Sequence, residues 1–451
     1  MGVGWLQLIY PGTLDRPQPA ETPEEPEFPL GGKISLTNLT KSLNKSAGKT
    51  PVKKVLVIFG TRPEAIKLAP VITRLKDSPR FETQVAVTGQ HRQMLDQVLS
   101  LFSLTPDYDL ALMSPDQDLF DITLGVLGGL KNLLAEVRPD LVLVQGDTTT
   151  TLAAALSAFY YRIPIGHVEA GLRTRDKYRP YPEEANRRLV TILTDYHFAP
   201  TEVARANLLA EGVPPAAIYV TGNPVIDALK LVAARVQQER AFWFDYFSRH
   251  FHLNWAGRRL ILVTGHRREN FGPGLENLCR ALGDLVARHP DIQVVYPVHL
   301  NPRVQGPVWE ILGGRPGADR VEESGSFQVQ APGGGRLVLL PPLAYAPFVF
   351  LLSQAYLAVT DSGGIQEEAP ALGKPVLVVR EVTERPEALQ AGAVKLVGPN
   401  RERIVREAGE LLNNSETYKK MARAVSPYGD GQAARRIVDL LEEKLPELRA
   451  K

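Results

Sequence analysis

Strand and helix patterns alternate along this chain, and the alternation runs twice. The first cycle opens at Lys53-Lys54-Val55-Leu56-Val57-Ile58-Phe59-Gly60, two lysines, five apolar residues and a glycine. A continuous apolar run of this length predicts a strand covered on both faces. Thr61-Arg62-Pro63-Glu64 follows, and a helical pattern then runs from Ala65 to Leu75. Pro63 suits the first helical position, and Glu64 suits the positive end of the helix dipole. Apolar runs recur at Thr83–Val87, Leu141–Val144, Ile163–Val168 and His197–Ala199, with amphipathic stretches between them. Alternation of this kind predicts a parallel sheet with helices packed on it.

The cycle restarts after Thr221-Gly222-Asn223-Pro224, which has the look of a domain joint. Strand candidates follow at Leu260–Val263, Ile292–Tyr296, Leu337–Leu340, Tyr356–Thr360 and Pro375–Val379. The expected fold is α/β, with two Rossmann-like doubly wound halves and a ligand cleft outside their C-terminal strand edges. The expected divisions are 1–52, 53–222, 223–426 and 427–451. Residues 1–50 hold six prolines and the acidic cluster Glu21 to Glu27, and read as a disordered extension. Residues 313–336, with Gly313-Gly314-Arg315-Pro316-Gly317 and Gly333-Gly334-Gly335, read as an exposed loop insertion. The last segment reads as a helix that starts after Pro427-Tyr428-Gly429-Asp430-Gly431 and packs back on the first half.

Residues able to do chemistry cluster at strand ends. Leu357-Ala358-Val359-Thr360 is followed by Asp361-Ser362-Gly363-Gly364 and the helix start Ile365-Gln366-Glu367-Glu368. Two glycines at a strand-to-helix turn allow close backbone approach, and the helix N-terminus offers free N–H groups to a phosphate. Glu368, one turn on from Gly364, is placed to accept hydrogen bonds from a ribose diol. The tetrapeptide Arg-Pro-Glu-Ala occurs at 62–65 and again at 385–388. In both places an Arg precedes a helix that begins on Pro, which would aim a guanidinium and a helix dipole at one cleft. The first half supplies acids: Asp147 after Leu141–Val144, Glu169 after an apolar strand, and Glu183 behind Pro182. Singly each reads as a helix cap or a solvated acid; three at strand-end or loop positions make a catalytic case. His266, in Thr264-Gly265-His266-Arg267-Arg268-Glu269-Asn270, suits a phosphate contact.

Other classes are disfavoured. Lys plus Arg is 52 and Asp plus Glu is 50, so a net charge of +2 leaves no electrostatic footprint for nucleic acid or a membrane surface. No apolar run approaches the length of a membrane span. Met1 to Tyr10 is apolar but short, with no basic residue before it, so it does not read as a secretory signal. One cysteine, Cys279, excludes an intrachain disulfide framework, and no His or Cys spacing suggests a metal site. No Gly-x-Gly-x-x-Gly follows a strand, which disfavours bound NAD; Gly125, Gly128 and Gly129 fall in a helical stretch. A cytoplasmic protein without metal or cofactor is expected.

From about Lys53 to the end the sequence resembles the non-hydrolysing UDP-N-acetylglucosamine 2-epimerase family. The segments that carry the resemblance are Phe59 to Lys67, Gln90 to Leu95, Gly146 to Thr151, His167 to Thr174, Pro182 to Arg187, Gly265 to Asn270 and Asp361 to Glu368. It implies a fold of the glycosyltransferase-B type, interconversion of UDP-GlcNAc and UDP-ManNAc, use in cell-surface polysaccharide synthesis, and a homodimer. By position, Asp147, Glu169 and Glu183 match the family's catalytic acids and His266 its phosphate-side histidine. Arg62, Lys67, Phe348, Ser362, Gly364, Glu368 and Arg385 match its substrate-nucleotide contacts. Gln90, His91 and Gln93 fall where bacterial members hold a second, activating UDP-GlcNAc. The 313–336 insertion is longer than expected for the family. The implied chemistry is loss of UDP across C1–C2 to 2-acetamidoglucal, then re-addition on the other face. That reaction needs a cradle for diphosphate and carboxylates to move a proton. A retaining glycosyltransferase of the same fold would share the cradle but need an acceptor site, and a non-catalytic sugar-nucleotide regulator would not need the three acids.

Overall fold

The computed structural model describes residues 52–89, 92–112, 114, 117–313, 318–321, 326–330 and 334–445. Gln90, His91 and the expected extension, Val52 apart, lie outside the described residues.

The first seven strands are β1 (Lys53–Phe59), β2 (Phe81–Val87), β3 (Tyr108–Asp109), β4 (Leu141–Gln145), β5 (Ile165–Val168), β6 (Tyr196–Ala199) and β7 (Ile218–Val220). They form one sheet in the order β3-β2-β1-β4-β5-β6-β7, parallel throughout. β1 shows why the sheet is covered on both faces. Val55, Val57 and Phe59 enter one hydrophobic core, while Leu56 and Ile58 enter another, the two-residue period of a strand.

The next eight are β8 (Arg259–Thr264), β9 (Ile292–Pro297), β10 (Ala318–Val321), β11 (Ser326–Gln330), β12 (Arg336–Leu340), β13 (Leu357–Thr360), β14 (Val376–Val378) and β15 (Val394–Leu396). Their order is β10-β11-β12-β9-β8-β13-β14-β15. The run from β12 to β15 is parallel and repeats the first sheet's order about β8. Leu260 and Leu262 of β8 join the core that holds Val55, Val57 and Phe59. Ile261 and Val263 face the other way into a core of their own.

The shared core is filled by helix Pro224–Gln238, which packs against helix Arg62–Asp77 and helix Tyr345–Gln354. The terminal helix Ala433–Lys444 also packs on Arg62–Asp77. Its first amides, Ala433 and Ala434, donate to the Asp227 carboxylate at 3.1 and 2.9 Å, which satisfies helix-end N–H groups that have no intrahelical partner. No described helix is long and apolar enough to cross a membrane.

The 313–336 stretch departs from the expected loop. β10 and β11 pair antiparallel with each other, and β11 pairs with β12, so the insertion widens the second sheet. Ser326-Phe327-Gln328-Val329-Gln330 alternates polar and apolar residues, a strand signal masked by the flanking glycines. β3, β7 and β15 are two or three residues long and leave no run to detect.

Candidate active site

In both sheets the strand order reverses beside the first strand, and ligands of such sheets bind outside the strand ends at that point. In the first sheet the reversal lies between β1 and β4. There β1 runs through Gly60 and Thr61 into helix Arg62–Asp77, and β4 runs through Gly146 to Asp147. Glu64 fastens the first turn. Its carboxylate accepts from the Gly60 and Thr61 amides at 3.1 and 2.7 Å and from the Thr148 and Thr151 hydroxyls at 2.7 and 3.0 Å. The β1 and β4 ends are thereby tied together, with Thr148 as the N-cap of helix Thr149–Tyr160.

Glu169 follows β5 at φ 65°, a left-handed conformation that costs a residue other than glycine on the order of 1–3 kcal/mol. Side-chain contacts hold it there. Lys67 Nζ lies 2.5 Å from Oε2, Gln145 Nε2 donates to the same oxygen, and Asn223 Nδ2 donates to Oε1 at 2.9 Å. Burial works against the Lys67 charge, but Glu169 and Glu367 outweigh it and raise its pKa. Asp147 meets Arg187, whose Nε and Nη2 lie 2.8 and 2.6 Å from Oδ2. Burial opposes the Asp147 charge, yet Arg187, Lys67 and Arg385 keep its pKa below the ordinary aspartate value. Glu183 opens helix Glu183–Leu193, and its Oε2 is buried with no hydrogen-bond partner among the described residues.

The second reversal lies between β8 and β13. Asp361, after β13, accepts from the main-chain N–H of His266 (3.0 Å to Oδ2) and Arg267 (2.9 Å), and from Asn270 Nδ2 (3.2 Å). This fixes the loop after β8. The His266 ring stacks on His299 with centroids 5.7 Å apart. Burial, against the pull of Asp361 and with help from Arg267 and His299, lowers the His266 pKa. Ser362 is the N-cap of helix Gly363–Ala371. A Cβ on Gly363 would meet Arg385 Nη1 at 2.5 Å, whereas one on Gly364 would meet only Ser362 Oγ at 3.9 Å. Gly363 is therefore the close approach to protein, and Gly364 leaves the open face. Glu368 lies on that helix, and burial with neighbouring Glu367 pushes its pKa up to about 8.

A buried polar chain joins the two strand-end sites. Lys67 pairs with Glu169, and Asn223 Nδ2 also donates to Glu367 Oε2 at 2.6 Å. Arg385 Nε lies 2.5 Å from Glu367 Oε1, and its Nη1 lies 2.7 Å from Glu384 Oε1. Glu384 in turn meets Arg380 at 2.7 Å, and Arg380 meets Glu269. Burial raises Glu367, with Glu169 adding to it against Arg385. Burial would raise Glu384 as well, but Arg385, Arg380 and Arg267 hold it below the carboxylate range.

The sequence pattern of the family described as UDP-N-acetylglucosamine 2-epimerase matches residues 73–442. The UDP-N-acetylglucosamine 2-epimerase of Salmonella typhimurium is 54% identical over 389 residues, 86% of this chain and 98% of that one. The chain belongs to the UDP-N-acetylglucosamine 2-epimerase family. It is an isomerase with the glycosyltransferase-B type of fold. The crystal structure of the Neisseria meningitidis UDP-GlcNAc 2-epimerase bound to UDP-GlcNAc is 46% identical, with a TM-score of 0.78 over 86% of this chain and all of that one. The Methanocaldococcus jannaschii enzyme in complex with UDP-GlcNAc and UDP is 31% identical, with a TM-score of 0.70 over 86% and 99%.

Within this epimerase fold, Asp147, Glu169 and Lys67 gather at the C-terminal ends of β4 and β5, and Glu183 begins the helix that carries Arg187. Arg62 reaches across to the Leu343 carbonyl, with Nη2 at 3.4 Å. Phe348, on helix Tyr345–Gln354, is half-buried. Ser362, Gly364 and Glu368 share one helix start. His266 sits at the second sheet's reversal. The two Arg-Pro-Glu-Ala copies are not equivalent: Arg62 faces the other half, while Arg385 turns onto Glu367 and Glu384 beneath Gly363. Gln93 lies on helix Arg92–Leu101.

Sequence reasoning assigned no role to Gln145, Arg187, Asn223 or Glu367. Gln366-Glu367-Glu368 is fully or nearly buried in one helix, and three adjacent polar side chains inside a fold need partners; nothing in the sequence marks the run as buried.

Proposed function

We propose that the protein interconverts UDP-GlcNAc and UDP-ManNAc by elimination and re-addition of UDP. The supporting observation is the buried chain from Lys67 through Glu169, Asn223 and Glu367 to Arg385, which links acids at one strand-end site to the turn at the other. The halves 53–222 and 223–426 close on the nucleotide sugar from either side. Ser362, Gly364 and the free amides of their helix take the diphosphate, with His266 and Arg62 beside it. Glu368 takes the ribose diol, and Phe348, Lys67 and Arg385 complete the nucleotide site.

Chemistry falls to Asp147, Glu169 and Glu183. One carboxylate removes the C2 proton; the C–H electron pair becomes the C1–C2 double bond; the C1–O bond breaks and its electrons leave on the diphosphate. Re-addition of UDP to C1, with a proton delivered to the opposite face of C2, completes the inversion. The unpartnered Oε2 of Glu183 and the restrained Glu169 suit such proton transfers.

A second UDP-GlcNAc acts as activator near Gln90, His91 and Gln93. UDP-ManNAc alone is then a poor substrate until a trace of UDP-GlcNAc is added. The working unit is a homodimer. Phe120 and Leu124, Phe159 and Tyr160, and Leu189 and Ile192 expose apolar surface on three helices, Leu119–Val137, Thr149–Tyr160 and Glu183–Leu193, that pack side by side. Light scattering gives twice the chain mass on this account, and a monomer at working concentration contradicts it.

Proton NMR of the purified protein with UDP-GlcNAc tests the reaction. UDP-ManNAc forms without an added acceptor if the proposal holds. Sugar transfer that appears only when an acceptor is supplied makes the protein a retaining glycosyltransferase instead.

A further inference from the structure

We propose that Arg187 is a positioning residue for Asp147, itself held in place by Glu184. The inference rests on reading Asp147 as a proton-transfer group. Arg187 sits one turn after Glu183 in helix Glu183–Leu193 and is 6% exposed. Both of its contacts to Asp147, Nε at 2.8 Å and Nη2 at 2.6 Å, fall on Oδ2. Oδ1 has no hydrogen-bond donor among the described residues, so the clamp leaves one carboxylate oxygen free to work. Asn186, the adjacent residue, donates from Nδ2 to the Asp147 main-chain carbonyl at 2.9 Å. The Asn186-Arg187 pair thus pins both the backbone and the side chain of Asp147.

The guanidinium is fixed from its other side. Nη1 donates to Glu184 Oε2 at 3.0 Å. Glu184 is fully buried and cannot swing away, because its oxygens also accept from the Thr174 and Arg175 amides at 3.0 and 3.1 Å. A planar, permanently charged fork held at both ends is a directional support that a lysine ammonium does not reproduce. It keeps Asp147 ionised and turns Oδ1 outward through the cycle. It also ties the helix that begins at Glu183 to the loop that carries Asp147, so two of the candidate acids move together.

The test uses the full chain with UDP-GlcNAc and four variants: D147N, R187M, R187K and D147N/R187M. R187M is expected to lower kcat by roughly a hundredfold with KM within about threefold, the scale of a misplaced acid–base group. The acid limb of its kcat–pH profile should move up by about one pH unit or more, because an adjacent guanidinium depresses a carboxyl by that scale. R187K, which keeps the charge without the fork, should fall between wild type and R187M on both measures. The double variant should be no more than about threefold slower than D147N, since residues acting through one another are not additive. If R187M does not give folded protein by circular dichroism, R187K alone decides by the same limb shift. An acid limb that stays put in the Arg187 variants while D147N is inactive overturns the positioning role and leaves the reading of Asp147 intact. D147N turning over at wild-type rate overturns both.

Discussion

Glu169 and Arg385 lie on the same buried chain, and the chemistry of their neighbours predicts opposite failures. Glu169→Gln keeps the shape and the Asn223 contact but removes the charge that faces Lys67. Turnover should drop by roughly a hundredfold or more, with UDP affinity nearly unchanged by calorimetry; near-wild-type turnover would return Glu169 to a structural acid. Arg385→Ala instead takes the ion-pair partner from Glu367 and one of three from Glu384, each nearly fully buried, and leaves Glu367 with Asn223 and Glu384 with Arg380 and Arg267. Breaking a buried pair from one side costs about 3–5 kcal/mol, so the melting temperature and UDP affinity should fall together, and a variant as stable as wild type contradicts the pairing. Glu368 adds a proton signature. With its pKa raised to about 8, it is mostly protonated at pH 7. A ribose diol donating to its carboxylate favours the ionised form, so UDP binding at pH 7 should release a proton. Calorimetry in two buffers of different ionisation enthalpy would show this as a difference in apparent binding heat that Glu368→Gln abolishes. Equal heats in the two buffers would remove Glu368 from the ribose site.

At the scale of elements, the start of helix Gly363–Ala371 separates packing from binding. Gly363→Ala places a methyl 2.5 Å from Arg385 Nη1 and 2.8 Å from its Cζ, so the turn must shift and the protein should melt at a lower temperature. Gly364→Ala meets nothing closer than 3.9 Å. It should melt near wild type yet lose UDP affinity, because the methyl occupies the face offered to the diphosphate. Calorimetry and melting curves on both would decide it; a Gly364→Ala protein with full affinity would contradict a diphosphate there. The strand-to-helix turns themselves were legible in the sequence because their signals are local: an apolar run, a glycine or proline, then a helix start. β1, β4, β5, β8 and β13 were read in this way, with Asp147 after β4, Glu169 after β5 and His266 after β8. The partners were not legible. Arg187, Asn223 and Glu367 act through residues 40, 54 and 18 positions away, and no periodicity reports a contact across that distance. The same limit explains Arg385, whose Arg-Pro-Glu-Ala copy matches Arg62 in sequence but faces a different neighbour. β10 and β11 were missed for the opposite reason, since glycines on either side outweighed a short alternating run.

At the scale of the whole molecule, two buried histidines tie stability to pH. His167 and His197 are register partners on β5 and β6, and burial pushes their pKa values down to about 4 and about 3. The folded protein keeps both neutral below the ordinary histidine range, while the unfolded chain takes up protons. The stability that this pair contributes is therefore fully present above about pH 6.5 and falls as the pH drops toward 4, with a slope on the order of 1.4 kcal/mol per pH unit for each ring. Glu64, Asp227, Glu367 and Glu368, whose pKa values burial raises, work the other way, while His266 and His289 add to the pair, so the pair is isolated by comparison with a protein that lacks it. Between about pH 6.5 and 4.5 the urea midpoint should fall more steeply for wild type than for His167→Gln/His197→Gln, and equal slopes would contradict the buried pair. The fold as a whole places Asp147 and Glu169 at one sheet's strand ends, Glu183 at the start of the helix whose Arg187 holds Asp147, and a helix N-terminus at the other sheet's reversal, the parts that the proposed loss of UDP calls for. The most direct measurement is conversion of UDP-GlcNAc in D₂O, followed by NMR. The account predicts UDP-ManNAc with deuterium at C2 and a slow release of UDP and 2-acetamidoglucal; UDP-ManNAc that keeps the original proton at C2, with no glucal released, would contradict it.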